Sequence, residues 1–385
     1  MKEPGTADRK RHGAAWLLLL CFVLAMAAGF LGGLAYSQRV SRDSRQQAPP
    51  SPVVPHAASS EVASAPPGTV PQPDTAGRQA PVQVFFAPEC LHPGQDCAGA
   101  LLAFIGSAQK SILCAFYDFE LEPPARALVD KFRAGVRVAV VSDSDYQRRA
   151  GIRVCLDAGV PVVFDGRTSL MHNKFCVVDG SRVWTGSTNV TSNCMYRNNN
   201  NAVLLESPEA ALNFTREFDE MFSRRRFGQG SPADTPYPAI TVADTAIECY
   251  FAPEDHVERA VVAHLRKTER AIDFMAFSFT SVPIARAMAE ELSEGARVRG
   301  VIERRNAGAS HCRDDFLRQR GAEVFLDTNP DTMHHKVIVV DERLVMTGSY
   351  NFSANAEKRN DENLVVLHNP GIARRFVEEF ESLIP

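Results

Sequence analysis

A pattern of polar residues occurs twice in this chain of 385 residues, and it limits the possible folds more than any other feature. The copies are residues 171–179 and 333–341, and both read His-x-Lys-x4-Asp followed by Thr-Gly-Ser-x-Asn. The four apolar residues after each lysine predict a buried strand, and the Gly-Ser-x-Asn predicts a polar turn after the next strand. Each copy therefore places its histidine, lysine, serine and asparagine where two adjacent strands end.

These residue types are suited to phosphoryl chemistry. The candidate site residues are His172, Lys174, Ser187 and Asn189 in the first copy and His334, Lys336, Ser349 and Asn351 in the second. Lysine and asparagine can hold phosphate oxygens, serine adds a donor, and histidine can attack phosphorus or transfer a proton. Two copies would supply a nucleophile, a general acid and two cations. Since lysines would repel a metal ion at these positions, we expect no metal and no cofactor.

With these motifs, residues 81–385 resemble the phospholipase D superfamily, whose signature is this duplicated motif, and especially its compact nuclease-like members. The resemblance implies a phosphodiesterase in which the N-terminal histidine is usually the nucleophile. Asp179 and Asp341 follow buried strands, and we expect them to fix turns by binding backbone amides. His335 stands outside the pattern and is expected to be solvent-facing or local.

The two copies differ 28 residues after the histidine, where the second has Glu362 and the first has Asn200. The resemblance implies a carboxylate near this position that holds the histidine. A carboxylate partner raises the pKa of an imidazole, whereas an amide orients the ring without that charge. Pairing within each copy predicts that His334, beside Glu362, is the protonated general acid. His172, beside Asn200, is then the neutral nucleophile.

Outside the motifs, the two halves still match at nearly constant offsets. Residues 84–89 recur at 249–254, and residues 135–138 recur at 295–298. In the first half, the pattern predicts strands at 82–86, 111–117, 136–142, 161–165, 173–178, 182–186 and 201–206. It predicts helices at 97–108, 123–134, 146–158 and 208–224. We therefore predict an α/β fold of two tandem repeats with mixed sheets, at 81–230 and 245–385, joined by a linker at 231–244. A pseudo-twofold axis would relate the repeats and place the active site at their interface, so that a monomer completes one site.

The first 80 residues differ in composition from the rest. Residues 1–14 carry a basic cluster, and residues 15–36 are an uncharged apolar run long enough to span a bilayer. Residues 37–80 are rich in Pro, Ser and Ala, and predict a disordered tether. We expect a single-pass membrane anchor with a cytoplasmic N-terminus and the catalytic part on the exported, periplasmic or extracellular side. The alternative is a signal peptide cleaved near Ala25-Met26-Ala27, which would give a secreted protein.

The motifs predict the reaction but leave the substrate open. The net charge of −4 gives no global signature of nucleic-acid binding, so any attraction for polyanions must be local. Arg197, Arg304 and Arg305 could line such a cleft, and with the compact halves they favour a nuclease. The alternative is a phospholipase D or cardiolipin hydrolase acting on phospholipids; a binding protein without turnover is a third interpretation. A disulfide between Cys90 and Cys97 is also left open.

Overall fold

A computed structural model of the chain describes residues 80–384, and these form two α/β repeats. The strands of the first repeat are β1 (Val82–Ala87), β2 (Ser111–Phe116), β3 (Arg137–Ser142), β4 (Val162–Phe164), β5 (Lys174–Val178), β6 (Arg182–Gly186) and β7 (Asn200–Glu206). Its helices are α1 (Cys97–Gly106), α2 (Glu122–Arg133), α3 (Ala150–Asp157), α4 (Ser192–Tyr196) and α5 (Pro208–Phe222).

The second repeat has the same succession of elements after one additional strand. Its strands are β8 (Ala239–Val242), β9 (Thr245–Ala252), β10 (Ala271–Ala276), β11 (Arg297–Ile302), β12 (Glu323–Leu326), β13 (Lys336–Val340), β14 (Leu344–Gly348) and β15 (Glu362–His368). Its helices are α6 (Val257–Leu265), α7 (Val282–Ser293), α8 (Asp314–Arg318), α9 (Ala354–Lys358) and α10 (Pro370–Leu383).

Each repeat builds one mixed sheet. The first sheet has the order β1-β7-β6-β5-β2-β3-β4, and the second has the order β12-β11-β10-β13-β14-β15-β9-β8. In the first sheet β2, β3 and β4 are parallel, as are β10, β11 and β12 in the second, and the remaining pairs are antiparallel. Read from its β8 edge, the second sheet repeats the order of the first with β8 added. The predicted α/β class with two mixed sheets is confirmed.

The strands that carry the motifs lie in the middle of their sheets and are covered on both faces. All five residues of β5 and all five of β13 are buried. One apolar cluster joins inner-face residues of both sheets with residues of α5 and α10. A second cluster covers the outer face of the first sheet, and a third covers the outer face of the second sheet. This double burial explains why the apolar residues after each lysine run continuously instead of alternating with polar ones.

Some elements differ from those predicted. The helix expected at 146–158 is a 3-10 turn at Ser144–Tyr146 followed by α3, because Arg149 has extended backbone and its side chain binds Asp118. Strand β8 lies within the predicted linker 231–244 and forms a hairpin with β9. Cys90 is exposed and Cys97 is buried, and both are free thiols, so no disulfide joins them.

The structure also contradicts the membrane location predicted from the sequence. Within the part of the chain that is described, no helix combines the length and the apolar composition needed to cross a bilayer. The predicted N-terminal segment at 1–14 and the span at 15–36 lie outside the described residues, as does the tether at 37–80 except for its last residue.

Gly348 ends β14 in a backbone conformation that excludes other residues. Its φ is +156°, and a Cβ atom there would lie 2.3 Å from the main-chain oxygen of Asn363. Both the strain and the clash with backbone oppose a side chain, so we expect Gly348→Ala to lower the free energy of unfolding by about 2–5 kcal/mol. Urea unfolding of the full-length variant measures this.

Gly321 provides the matched control in the same repeat. It has φ +97°, but nothing lies within 4 Å of the position that a Cβ atom would take, so Gly321→Ala carries strain without a clash. We expect Gly321→Ala to lower the free energy of unfolding by about 1 kcal/mol. If Gly348→Ala and Gly321→Ala lowered the free energy of unfolding equally, the close contact between Gly348 and Asn363 of β15 would be contradicted.

Candidate active site

Each histidine motif is fixed by main-chain contacts with the other repeat. The amide of His172 donates to the carbonyl oxygen of Asp361 at 2.9 Å, and the amide of His334 donates to the carbonyl oxygen of Asn199 at 2.8 Å. These two contacts are equivalent under exchange of the repeats, as expected for a pseudo-twofold axis. The residues just before β7 and β15 therefore hold the motif of the opposite repeat, and the two half-sites meet at one place.

The side-chain partners of the histidines also cross between the repeats. His172 Nδ1 lies 2.7 Å from Glu362 Oε2, and His334 Nδ1 lies 2.9 Å from Asn200 Oδ1. The predicted pairing of His334 with Glu362 and of His172 with Asn200 is wrong. The physical reason is the exchange itself, since β15 brings Glu362 to the first motif and β7 brings Asn200 to the second.

These partners fix the tautomer of each ring. Both acceptors are oxygens, so each ring carries its proton on Nδ1 and leaves Nε2 with a free lone pair. Asn200 is oriented by its own contacts, because its Nδ2 donates to the carbonyl oxygen of Cys194. Glu362 Oε2 also accepts from Ser349. Both imidazoles can therefore act through Nε2.

The two lysines are buried in equivalent surroundings. Lys174 Nζ donates to the carbonyl oxygen of His172 at 2.7 Å, and Lys336 Nζ donates to that of His334 at 2.8 Å. Each ammonium also lies 4.7 Å from the centre of an aromatic ring, that of Tyr117 for Lys174 and of Phe277 for Lys336. The same rings pack edge-on against the histidines. These aromatic residues were missed, although Tyr117 and Phe277 occupy equivalent positions before the motifs.

The serines have a different role from the one predicted. Ser187 Oγ donates to Asn200 Oδ1 and Ser349 Oγ donates to Glu362 Oε2, so both hydroxyls support the partners of the histidines instead of facing a phosphate. Each serine also accepts from a main-chain amide of the following strand.

The two asparagines of the motifs have buried side-chain oxygens without protein partners in the described part of the chain. The side-chain oxygens of Asn189 and Asn351 are buried, and neither has a hydrogen-bond partner among residues 80–384. Asn189 lines the cleft, where its Nδ2 lies 3.6 Å from Cys194 Sγ. A buried oxygen without a partner needs a donor, so to hold a phosphate oxygen each amide would have to turn and present its Nδ2.

The motif aspartates are structural, as predicted. Asp179 accepts from the main-chain amides of residues 109–111, and Asp341 accepts from those of residues 269–271. Each carboxylate thus fixes the start of a neighbouring strand. Two other residues escaped the sequence analysis. Asp143 and Glu303 accept the amides of Met171 and Met333 just before each histidine. His335 is fully buried, not solvent-facing, and contacts Glu379 and Asn201.

A cleft of about 340 Å³ opens onto this site and is lined by Asn189, Phe277, Glu303, Arg305 and His334, among other mostly polar residues. Of the three arginines predicted to attract phosphates, Arg305 lines this cleft.

These arginines are largely engaged with neighbouring groups. Arg305 lies 2.9 Å from Glu303 and Arg197 lies 3.5 Å from Asp331. Arg304 donates to a main-chain carbonyl oxygen. These three arginines therefore offer little unpaired positive charge to a polyanion.

Burial determines the protonation of the site. It lowers the pKa of His172 to about 4, although the Glu362 carboxylate opposes the shift. The pKa of His334 falls well below its ordinary value for the same reason, with Lys336 and Lys174 adding to it. Burial lowers the pKa of Lys174 to about 8, and burial together with the charge of Lys174 lowers that of Lys336. Without a ligand, both imidazoles are neutral.

Comparison with known proteins identifies the family of this fold. A family model described as "Cardiolipin synthase, PLD-like domain" matches residues 101–222 and again residues 261–384. The chain belongs to the phospholipase D superfamily. The two matches correspond to the two repeats and include both histidine motifs.

Curated members of the phospholipase D superfamily are similar to parts of this chain. A phospholipase D from Rickettsia prowazekii is 26% identical over 168 residues, which are 44% of this chain and 82% of that protein. The human mitochondrial cardiolipin hydrolase is 33% identical over 131 residues, covering 33% of this chain and 52% of that protein. The crystal structure of phosphatidylserine synthase from Haemophilus influenzae Rd KW20 has a TM-score of 0.58 at 14% identity, covering 78% of this chain and 86% of that one. This last likeness supports the fold.

The buried lysines lead to a pH prediction for this phospholipase D superfamily member. With bis(p-nitrophenyl) phosphate, whose leaving group needs no proton, kcat/KM should depend on neutral His172 and charged Lys174. It should fall below about pH 4, where His172 gains a proton, and above about pH 8, where Lys174 loses one. Initial rates between pH 3.5 and about 10 test this. With both Lys174 and Lys336 replaced by arginine the alkaline decline should vanish, because arginine keeps its charge whereas burial lowers the pKa of both lysines; a decline unchanged in that variant would contradict the assignment.

Proposed function

We propose that this chain is a metal-independent phosphodiesterase that cleaves its substrate through a phosphohistidine formed on His172. The observation that carries the proposal is the charge balance of the buried site. Lys174 and Lys336 face one ionised carboxylate, Glu362, whose pKa is lowered by His172 and Lys174 although burial raises it. A bound phosphodiester monoanion would favour the charged form of both lysines, whose pKa values burial lowers in the free site.

In the first step, Nε2 of His172 attacks phosphorus, and the bond from phosphorus to the leaving oxygen breaks. The imidazole becomes cationic as it bonds to phosphorus, and the Glu362 carboxylate on Nδ1 stabilises that charge. His334 Nε2 gives a proton to the leaving oxygen. The pKa of His334 is low in the free site, but the bound phosphate anion raises it by favouring the imidazolium. Both lysines and the amides of Asn189 and Asn351 would hold the non-bridging oxygens.

In the second step, water or an alcohol attacks the phosphohistidine. His334, now neutral, takes the proton of the attacking hydroxyl, and His172 leaves with the electron pair of its bond to phosphorus. Each displacement inverts the configuration at phosphorus, so the whole reaction retains it. The assignment keeps His172 as nucleophile and His334 as acid, although their partners are exchanged relative to the sequence-based prediction.

As substrate class we propose phospholipids. Nucleic acid carries a phosphate on every nucleotide, and proteins that bind it provide several cations along a groove. Here Arg305 is paired with Glu303 and Arg197 with Asp331, so neither arginine adds net positive charge. The similar curated proteins named above are a phospholipase D and a cardiolipin hydrolase, which supports the same class. The preference for a nuclease drawn from the sequence stays an untested prediction.

A side-by-side assay tests both levels of this proposal. Full-length protein is incubated with vesicles of phosphatidylcholine or cardiolipin and with single-stranded DNA, double-stranded DNA and RNA, each with and without EDTA. We expect headgroup release from phospholipid that EDTA does not change. Faster cleavage of a nucleic acid would show that the proposed substrate class is wrong, but it would not contradict the proposed mechanism. Loss of all activity with EDTA would contradict the metal-independent mechanism.

A further inference from the structure

Three residues with metal-binding side chains meet on the second sheet, outside the catalytic cleft. Glu248 lies on β9, His264 on α6 and His368 at the end of β15. His264 Nε2 is 3.2 Å from Glu248 Oε2, and His368 Nε2 is 2.8 Å from Glu248 Oε1. One ligand atom from each of the three residues lies within 4.8 Å of the other two. Among residues 80–384, this is the one group of three such side chains close enough to share an ion.

The first repeat provides an internal comparison, because the same three positions hold different residues there. They are Gln83, Phe104 and Glu206. Phe104 packs against Trp184 in a tilted arrangement, with ring centroids 6.2 Å apart, and Phe85 stacks on Trp184 at 5.5 Å. An aromatic stack thus fills this place in the first sheet. The fold therefore does not require the two imidazoles and the carboxylate of the second repeat.

The spacing of these atoms suits a tetrahedral ion. Ligand atoms about 2.0–2.1 Å from zinc lie roughly 3.3 Å apart. The two imidazoles contact different oxygens of Glu248, and a set with one ligand atom from each residue lies within 4.8 Å, so a small movement would let one oxygen share the ion with both. Two imidazole nitrogens and one carboxylate oxygen are ligands that zinc and other late divalent transition metals accept. Tyr250 donates its hydroxyl to Glu248 and would orient the carboxylate.

The cluster is also accessible from solvent. A groove of about 480 Å³ runs along β8 and β9 and includes Glu248 and His368 in its lining. The side chain of His368 is 37% exposed and that of Glu248 is 24% exposed, whereas that of His264 is 7% exposed. An ion could enter by this groove, and water could complete its coordination.

We propose that Glu248, His264 and His368 bind one divalent transition-metal ion of the zinc type, which fastens helix α6 to strands β9 and β15. The ion would be structural. Glu362, the partner of His172, begins β15 and His368 ends it, and six residues of strand span about 20 Å. The proposal is independent of the catalytic mechanism.

Cobalt and zinc titrations of full-length protein, first stripped with a chelator, test the site. We expect one equivalent of Co²⁺ to bind with the visible absorption of a tetrahedral nitrogen and oxygen site and without a thiolate charge-transfer band. We expect Zn²⁺ to raise the melting temperature. His264→Phe, which installs the residue of the first repeat, should weaken this binding by about 100-fold or more and abolish the rise in melting temperature.

Two further variants make the result decisive. His368→Ala alters a partly exposed ligand with little risk to folding and should lose the same equivalent of metal. His172→Ala alters the catalytic site and should keep it. Phosphodiesterase activity of His264→Phe should stay within about 2-fold of the unmodified chain, since the ion would not act in the chemistry. Undiminished binding in both His264→Phe and His368→Ala, or no binding of Co²⁺ and Zn²⁺ to the unmodified chain at micromolar metal, would overturn the proposal.

Discussion

Replacing His172 with alanine is expected to lower kcat for bis(p-nitrophenyl) phosphate by about 10⁴-fold or more, because the nucleophile is lost. Replacing His334 with asparagine should affect the same substrate much less. The p-nitrophenolate group leaves without a proton, so the acid on His334 is not needed in the first step. For a diester with an alkoxide leaving group, the His334→Asn variant should lose about 10²–10⁴-fold. Initial rates on the two substrates separate the roles of the histidines.

The second step gives a further distinction between them. In His334→Asn, nothing takes the proton of the attacking water, so a phosphohistidine should accumulate after a burst of p-nitrophenol. Acid-labile phosphate on residue 172, mapped by mass spectrometry, would identify it. The lysines and Glu362 are untouched in this variant, so binding should persist. A burst from His172→Ala and none from His334→Asn would show that the two histidines have the opposite roles.

Replacing Glu362 with glutamine should reduce the rate of phosphohistidine formation by about 10²–10⁴-fold, the range seen when a carboxylate that supports a catalytic histidine becomes an amide. Glu362 accepts from His172, Ser349 and Asn360, and glutamine has nearly the same shape. The loss would come from the missing charge, since an amide cannot stabilise the cationic ring of the phosphorylated histidine. Rapid-quench measurement of the burst provides the rate.

Asn200 supplies the matched control for Glu362. It occupies the equivalent position and already orients His334 through an amide oxygen, so Asn200→Asp adds a charge where Glu362→Gln removes one. With p-nitrophenyl esters, we expect Asn200→Asp to change the burst rate by less than about 10-fold. The leaving group needs no proton in that step, so the step does not depend on His334 as an acid. A larger loss from Asn200→Asp than from Glu362→Gln would assign the nucleophile to the second repeat.

The sequence predicted the parts of the site that depend on local pattern. The apolar runs after Lys174 and Lys336 could be recognised as buried strands, and the aspartates that follow could be assigned to turns, because both effects act within a few residues. The equal offsets of the two copies also predicted one composite site. Strand β8 was missed because four residues of weak pattern lie within a segment of linker composition.

The contacts that define the chemistry were not predictable in this way. Pairing residues at equal offsets placed Glu362 beside His334, whereas the fold exchanges the partners between repeats. Arg197 pairs with Asp331, a residue far along the chain, so a charge that appears free in the sequence is engaged in the structure. Such contacts depend on how the two sheets meet, and no local pattern records that.

The crossed partners of the two histidines have a consequence for how such a duplicated protein can diverge. A substitution at residue 200 or 362 changes the hydrogen-bond partner of the histidine in the opposite repeat, so a change in one repeat alters the chemistry of the other. A single difference between the repeats, glutamate at 362 and asparagine at 200, gives His172 a charged partner and His334 a neutral one. The two half-sites of one chain therefore have unlike histidine partners, and each repeat depends on the other for the reactivity of its histidine.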